Sequence, residues 1–235
     1  SLAGTPAPEP GQKPPFAPNL HPLLVNPESL PRFRFFSVVG NEGCPYQSDA
    51  RGNALYEGVD IPAPYGRGCG FCAAGNEYAA RPPPETAASV LAQIRYIRRE
   101  APAIDCLVLR DQNPFAYLTE LVETIGDEGL GPFTLLLETR ADWLLRSARR
   151  FERALSAAAA AGLRLAIFLV GIENFSQPEL DRFNKGIRAE DNVRFLDALW
   201  RWKERHGPAF SLDHASFGFV LFTPWTRMED LATNL

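Results

Sequence analysis

The chain has little cysteine, no long apolar run and no excess of positive charge, and each shortage excludes something. Four cysteines in 235 residues are too few for a disulfide framework, so a reducing, cytoplasmic setting with a metal site is the expectation. No apolar stretch approaches the roughly 20 residues that a helix needs to cross a bilayer. The opening residues do not read as a secretory signal peptide, and a start at Ser1 rather than Met is compatible with trimming. A net charge of −4 makes no electrostatic case for binding nucleic acid or an anionic membrane. His21, His206 and His214 share no ligand-like spacing with the cysteines or with one another, so they receive no catalytic role.

What the chain does have is core. Its 46% hydrophobic content can fill one large α/β domain or two small ones. Residues 1–31 stand apart, because prolines from Pro6 to Pro31 recur too densely for regular hydrogen bonding. They read as an arm or linker ahead of a domain spanning 32–235.

In that domain apolar runs alternate with helical patterns. Phe35–Val39, Cys106–Leu109, Phe133–Leu137, Leu165–Val170 and Phe217–Phe222 are near-continuous apolar segments, as expected of parallel strands buried on both faces. Between them lie helical spacings: Val90, Leu91, Ile94 and Ile97; Phe115, Leu118, Leu121, Val122 and Ile125; Trp143 and Leu144 into the alanine-rich stretch to Ala161; then Val193, Leu196, Leu199 and Trp200. Trp200 and Trp202 are expected to pack on the sheet or across a barrel opening. Strand followed by helix, repeated, predicts right-handed crossovers and a parallel sheet of about five strands, open or curved into a barrel. Arg146, Arg149, Arg150 and Arg153 sit at helical spacing and read as a solvated face.

Each strand ends in polar residues: Asn41-Glu42, Arg110-Asp111-Gln112-Asn113, Glu138-Thr139-Arg140, Gly171-Ile172-Glu173-Asn174 and Thr223-Pro224-Trp225-Thr226. The carboxyl rim of such sheets is where sites are built. The same rim is expected to hold Cys44, after the first strand, and the pair Cys69 and Cys72. Cys-x-x-Cys brings two sulfurs to one centre, and thiolates select zinc or iron–sulfur clusters. Gly66, Gly68 and Gly70 let the backbone fold closely around it.

This combination resembles the radical S-adenosylmethionine (SAM) superfamily. A first strand followed by cysteines ending in Cys-x-aromatic-Cys, the turn Arg110-Asp111-Gln112-Asn113-Pro114-Phe115, a fourth strand ending in Gly171-Ile172-Glu173 with Asn184-Lys185-Gly186 downstream, and a fifth running into Phe222-Thr223-Pro224-Trp225-Thr226 carry the likeness. It is similar to the methylthiotransferase-like and cobalamin-associated branches and covers about 35–231. The resemblance implies an α/β fold, a partial (β/α) barrel, and a [4Fe-4S] cluster held by Cys44, Cys69 and Cys72. It also implies S-adenosyl-L-methionine as cofactor, an electron donor of flavodoxin or ferredoxin type, and hydrogen abstraction from a substrate by a 5′-deoxyadenosyl radical. Carried over by position, Phe71 offers its backbone to the adenine, Asp111 and Gln112 face the SAM amino group, and Glu138 or Arg140 with Glu173 or Asn174 hold the carboxylate and ribose.

Other readings stay open beside these. Asp111 also suits a helix N-cap, Glu138 with Arg140 a surface ion pair, and Glu173 a cap or salt bridge in its loop. The alternative for the whole chain is a zinc-stabilised α/β binding or regulatory protein. The family's core commonly has a sixth strand and helix after the fifth, so a continuation or partner chain completing the barrel is expected.

One departure matters. The family spaces its ligands Cys-x3-Cys-x2-Cys, yet the residue four before Cys69 is Tyr65, and 24 residues separate Cys44 from Cys69. Cys44 is the expected first ligand, with the segment Gln47 to Pro64 doubling back behind it, since loop closure costs grow only logarithmically with length. Cys106 opens the second strand, about 16 Å from the Asp111 end at about 3.3 Å per residue, and is expected to be an inert core residue.

Overall fold

A computed structural model describes residues 35–235; the proline-rich arm lies outside them. Six strands make one parallel sheet: β1 (Phe36–Val39), β2 (Cys106–Arg110), β3 (Thr134–Arg140), β4 (Arg164–Glu173), β5 (Phe210–Ser211) and β6 (Ser216–Phe219). Their spatial order is β1-β2-β3-β4-β5, with β6 also paired to β4. β5 pairs at Leu165–Ala166 and β6 further along at Leu169–Glu173, so the two form one interrupted fifth lane.

The order never reverses, so every right-handed crossover lands on the same side of the sheet. Helices α1 (Pro83–Glu100), α2 (Leu118–Asp127), α3 (Ala141–Arg146), α4 (Ala148–Ala160), α5 (Gln177–Arg182) and α6 (Ala189–His206) follow the strands; α7 (Met228–Thr233) comes last. Alternate strand residues then divide between two environments. Leu107, Leu109, Leu135, Leu137, Leu165 and Ile167 join the large core with the helices. Cys106, Val108, Leu136 and Ala166 form a second, small cluster, joined by Phe168 on the concave face. A sheet covered on one face and curved around the other is a partial barrel.

The helical faces follow the expected spacings, with one correction. In α6 the buried stripe is Asn192, Phe195, Ala198, Leu199 and Trp202. Val193 and Trp200 face outward, Trp200 at 63% exposure. Trp202 instead stands 5.0 Å from Phe151, whose ring also meets Phe115 and Phe210 edge-on. The stripe that contains Asn192 wins because its amide donates to the carbonyls of Ile172 and Asn174, both at 3.0 Å, satisfying the frayed end of β4. Arg146, Arg149, Arg150 and Arg153 are exposed, as their spacing predicts.

The two edges differ. Val39, on the outer edge of β1, receives a bidentate amide from Gln93: Val39 N donates to Oε1 and Nε2 donates to the Val39 carbonyl, both at 2.9 Å. This side chain stands in for a neighbouring strand. At the far edge, β6 pairs among the described residues with β4 alone, and Phe219, Leu221 and Phe222 are exposed. The run Phe217–Phe222 is therefore a half-open edge rather than a strand buried on both faces.

Phe151 is fully buried at the junction of α4, α6 and β5. Phe151→Ala should lower stability in urea unfolding by about 3–5 kcal/mol, and Trp200→Ala by no more than about 0.5 kcal/mol. Equal losses would contradict this placement of the core.

Candidate functional site

The chain leaving β1 enters an excursion that carries the cysteines, and its geometry explains their long separation. Ala50 N–H donates to the Gly66 carbonyl at 3.1 Å and Gly68 N–H to Ser48 at 2.8 Å, while Asp49 and Arg67 form an antiparallel bridge. The insert thus returns on itself and closes at a narrow neck. Below the neck, Cys44 N–H donates to Ala74 at 3.0 Å and Cys72 N–H to Cys69 at 3.0 Å, so all three cysteines share one corner of the rim. Two glycines permit the crossing. Gly68 has φ +84°, and a Cβ at Gly75 would lie 2.7 Å from the Arg67 carbonyl oxygen.

The three thiols are neighbours electrostatically. Burial pushes the Cys44 and Cys69 thiols up; Arg140 and Lys185 oppose this, and the other cysteines add to it. Cys106 is pushed up to about 11 by burial and lies on the concave face at the start of β2, away from the rim. Among the described residues no three His, Cys, Asp or Glu side chains are arranged around a single metal ion. A four-iron cluster holds its cysteine sulfurs farther apart than one ion does.

A loop after β4 closes the corner. Asn184, at φ +50°, donates to the Gly68 carbonyl at 2.7 Å and is met by Asn53 of the insert at 3.3 Å. Gly70 N–H donates to Phe183, and the Phe71 ring meets Phe183 edge-on at 5.6 Å. Tyr56 hydroxyl donates to the Arg182 carbonyl.

Arg140, at the end of β3, sits at the centre. It is 4% exposed. Its Nε donates to Asp142 at 3.0 Å, one terminal nitrogen to the Lys185 carbonyl at 2.6 Å, and the other lies 3.7 Å from Cys69 Sγ. Tyr46 of the insert and Trp143 stack on its guanidinium at 4.1 and 5.0 Å. Glu138 does not pair with it. Instead, Glu138 is buried under Arg110, its carboxyl pushed up by that burial against the pull of Arg110, and it accepts from Gln112 at 3.2 Å.

The remaining sequence-predicted residues fall into two groups. Asp111 and Asn174 are tied into structure. Asp111 accepts from Asn41 N–H at 2.9 Å, Asn113 N–H at 2.9 Å and Tyr117 hydroxyl at 2.7 Å, joining the loops after β1 and β2. Asn174 donates to Val220 at 3.0 Å and accepts from Ser176 and Asn234, joining β4 to β6. Glu173, at φ +65°, pairs with Lys185 at 3.0 Å, as its salt-bridge reading allows. Phe71 is 43% exposed and borders a mainly apolar cavity of about 340 Å³, also walled by Ile61, Tyr65, Phe183, Val220 and Trp225. Sequence reasoning assigned nothing to Tyr46 and Lys185. The Asn184-Lys185-Gly186 motif was the available signal for Lys185; Tyr46 had none.

No family model matches the chain, and no curated protein does. Solved structures do. The cobalamin-dependent S-adenosylmethionine radical enzyme OxsB, with aqua-cobalamin and S-adenosylmethionine bound, is similar over 93% of this chain, with a TM-score of 0.58 and 17% identity. The same enzyme with aqua-cobalamin bound is similar over 84%, with a TM-score of 0.52 and 15% identity. The fold is that of the matched part of this S-adenosylmethionine radical enzyme. The chain spans 28% and 25% of those two OxsB chains.

The neck rests on a backbone crossing too tight for a side chain at Gly75. Gly75→Ala should loosen the insert and speed trypsin cleavage after Arg51 and Arg67, whose side chains are already exposed, whereas Gly52→Ala, whose new methyl meets no atom within 4 Å, should leave cleavage unchanged. Identical digestion of both variants would show that the crossing does not hold the insert.

Proposed function

We propose that this chain is the core of a radical SAM enzyme, with Cys44, Cys69 and Cys72 holding a [4Fe-4S] cluster and S-adenosylmethionine bound beside it. The observation that carries the reading is the return of the insert. It sets Cys44 against the Cys69–Cys72 loop at the carboxyl rim, next to two buried cations, Arg140 and Lys185. Three thiolates flanked by two cations suit a cluster whose net charge must be balanced in a partly buried site.

When bound, the cluster and SAM supply one-electron cleavage of a carbon–sulfur bond and hydrogen abstraction from substrate. The chain's own residues bind and orient. Phe71 and the apolar cavity beside it offer a surface for the adenine, a flat group suited to aromatic walls. Gln112 and Glu138 present an amide and a carboxylate on the concave side for the SAM amino group. The second carboxylate oxygen of Glu173, whose first oxygen meets Lys185, would accept from a ribose hydroxyl. Asp111 and Asn174 hold the loops that carry these groups. The concave face receives the substrate, bounded by Phe35 stacked edge-on at 5.2 Å against Phe168. The electron donor is a flavodoxin- or ferredoxin-like protein.

Anaerobically purified protein should be brown and contain iron with acid-labile sulfide; a colourless zinc protein would refute the proposal. Ser replacements at Cys44, Cys69 or Cys72 should each lower the iron content, and Cys106→Ser should not. A full cluster in Cys44→Ser would remove Cys44 from the ligand set.

Gln112→Ala and Glu138→Gln should each weaken SAM binding by about 1–3 kcal/mol, the range for a hydrogen bond to a charged group, with iron content unchanged. Calorimetry on the reconstituted protein measures this. Parent affinity in both variants would move the amino group elsewhere.

A further inference from the structure

Arg140 is the side chain that carries the sharpest conflict between sequence and structure. Family position makes it a partner for the SAM carboxylate, but three of its five N–H donors are already engaged and the group is buried. Asp142 takes Nε, the Lys185 carbonyl takes one terminal nitrogen, and the other points at Cys69 Sγ, 3.7 Å away. Tyr46 and Trp143 stack on the guanidinium plane, closing it to a ligand. A guanidinium presents its donors in a rigid planar fork. In this pose the fork spans a carboxylate on α3, a cysteine of the metal loop and the backbone after β4.

We infer that Arg140 is a positioning residue for the cluster: it fixes the Cys69 side of the thiolate set and, as a buried cation donating to that sulfur, raises the cluster's reduction potential. The inference rests on the cluster reading above. Its physical basis is general. Reduction adds a negative charge to the cluster, and a hydrogen-bonded cation in a low-dielectric site stabilises the reduced form more than the oxidised one. Groups that orient and polarise a ligand sulfur tune a metal centre as surely as the ligands do. Asp142 has the opposite sign. It touches the guanidinium at 3.0 Å and also pairs with Arg146, partly cancelling the charge that the sulfur feels.

This gives two substitutions with opposite expected shifts. The full chain, reconstituted without SAM, is poised at the potential where the parent cluster is half reduced, and the reduced form is counted by electron spin resonance. Arg140→Gln should lower the ratio of reduced to oxidised cluster about tenfold, equivalent to about 59 mV for a one-electron couple. Arg140→Lys should lower it less, because it keeps the charge without the fork. Asp142→Asn should raise the ratio. SAM affinity, measured by calorimetry on the same samples, should hold at the parent's value in Arg140→Lys.

A purely structural Arg140 predicts that loosening either partner disorders the site in the same direction. Shifts of equal sign in Arg140→Gln and Asp142→Asn, or no shift in either, overturn the inference. So does lost SAM affinity with an unchanged potential, which would return Arg140 to the carboxylate. If Arg140→Gln fails to retain iron, Asp142→Asn and Arg140→Lys carry the test, since both keep a cation at the sulfur. A colourless parent overturns the cluster reading together with this inference, whereas a full parent cluster indifferent to these substitutions overturns this inference alone.

Discussion

The buried charge of Arg140 has to be met from several directions at once, and the carboxyl end of the sheet is built around that need. An unpaired cation at such depth is far more costly than the pairing it replaces, so losing one partner is severely destabilising. The partners come from segments distant in sequence: Asp142 from α3, the Lys185 carbonyl from beyond β4, Cys69 and Tyr46 from the excursion after β1. Satisfying one guanidinium therefore sets the relative position of three loops. The cysteine corner is rigid because a charge in its floor would otherwise be stranded.

A second layer of ties distributes that constraint along the rim. Asp111 collects donors from the first two loops, Asn174 links the fourth strand to the sixth, and Glu179, wholly buried, accepts from Thr226 at 3.0 Å and pairs with Arg182 at 3.1 Å. Each is a polar side chain spent on the backbone or on another side chain, as buried polar groups must be. Glu138 is likewise engaged, by Arg110 and Gln112, whereas Phe71 stays exposed beside the apolar cavity.

Much of this was legible in the sequence, and the failures have physical causes. Strands β2 to β4 stood out because a parallel strand buried on both faces must be apolar throughout, and Leu107 with Val108 or Leu135 with Leu136 serve opposite faces. The last lane was misjudged because an edge strand can be equally apolar while half exposed, and its break between Ser211 and Ser216 leaves no pattern. In α6 two stripes have the same period. The apolar one, with Val193 and Trp200, lost to one containing Asn192, whose amide donates to the Ile172 and Asn174 carbonyls at the end of β4. At the site, position along strands correctly suggested which residues gather at one rim, since strand ends are counted in residues. It could not tell which of them are consumed there. Glu138 turned to Arg110 and Arg140 to Asp142, choices made by loop placement that no local pattern encodes.

The neck of the insert separates distance along the chain from distance in space. Its cross-strand bonds, Ala50 to Gly66 and Gly68 to Ser48, close the loop above the cysteine corner, and Asn53 and Tyr56 beyond them tie the tip back to the segment after β4. Cysteine spacing in this chain is then a record of the length of the insert, not of how far apart the cysteines lie. A search pattern written as a fixed count between cysteines reads past such a chain, whereas one written as a strand, a closing pair and a Cys-x-aromatic-Cys turn would find it. The same neck makes the tip a wall of the rim: Ile61 and Tyr65, remote in sequence from Phe183 and Val220, border one cavity with them.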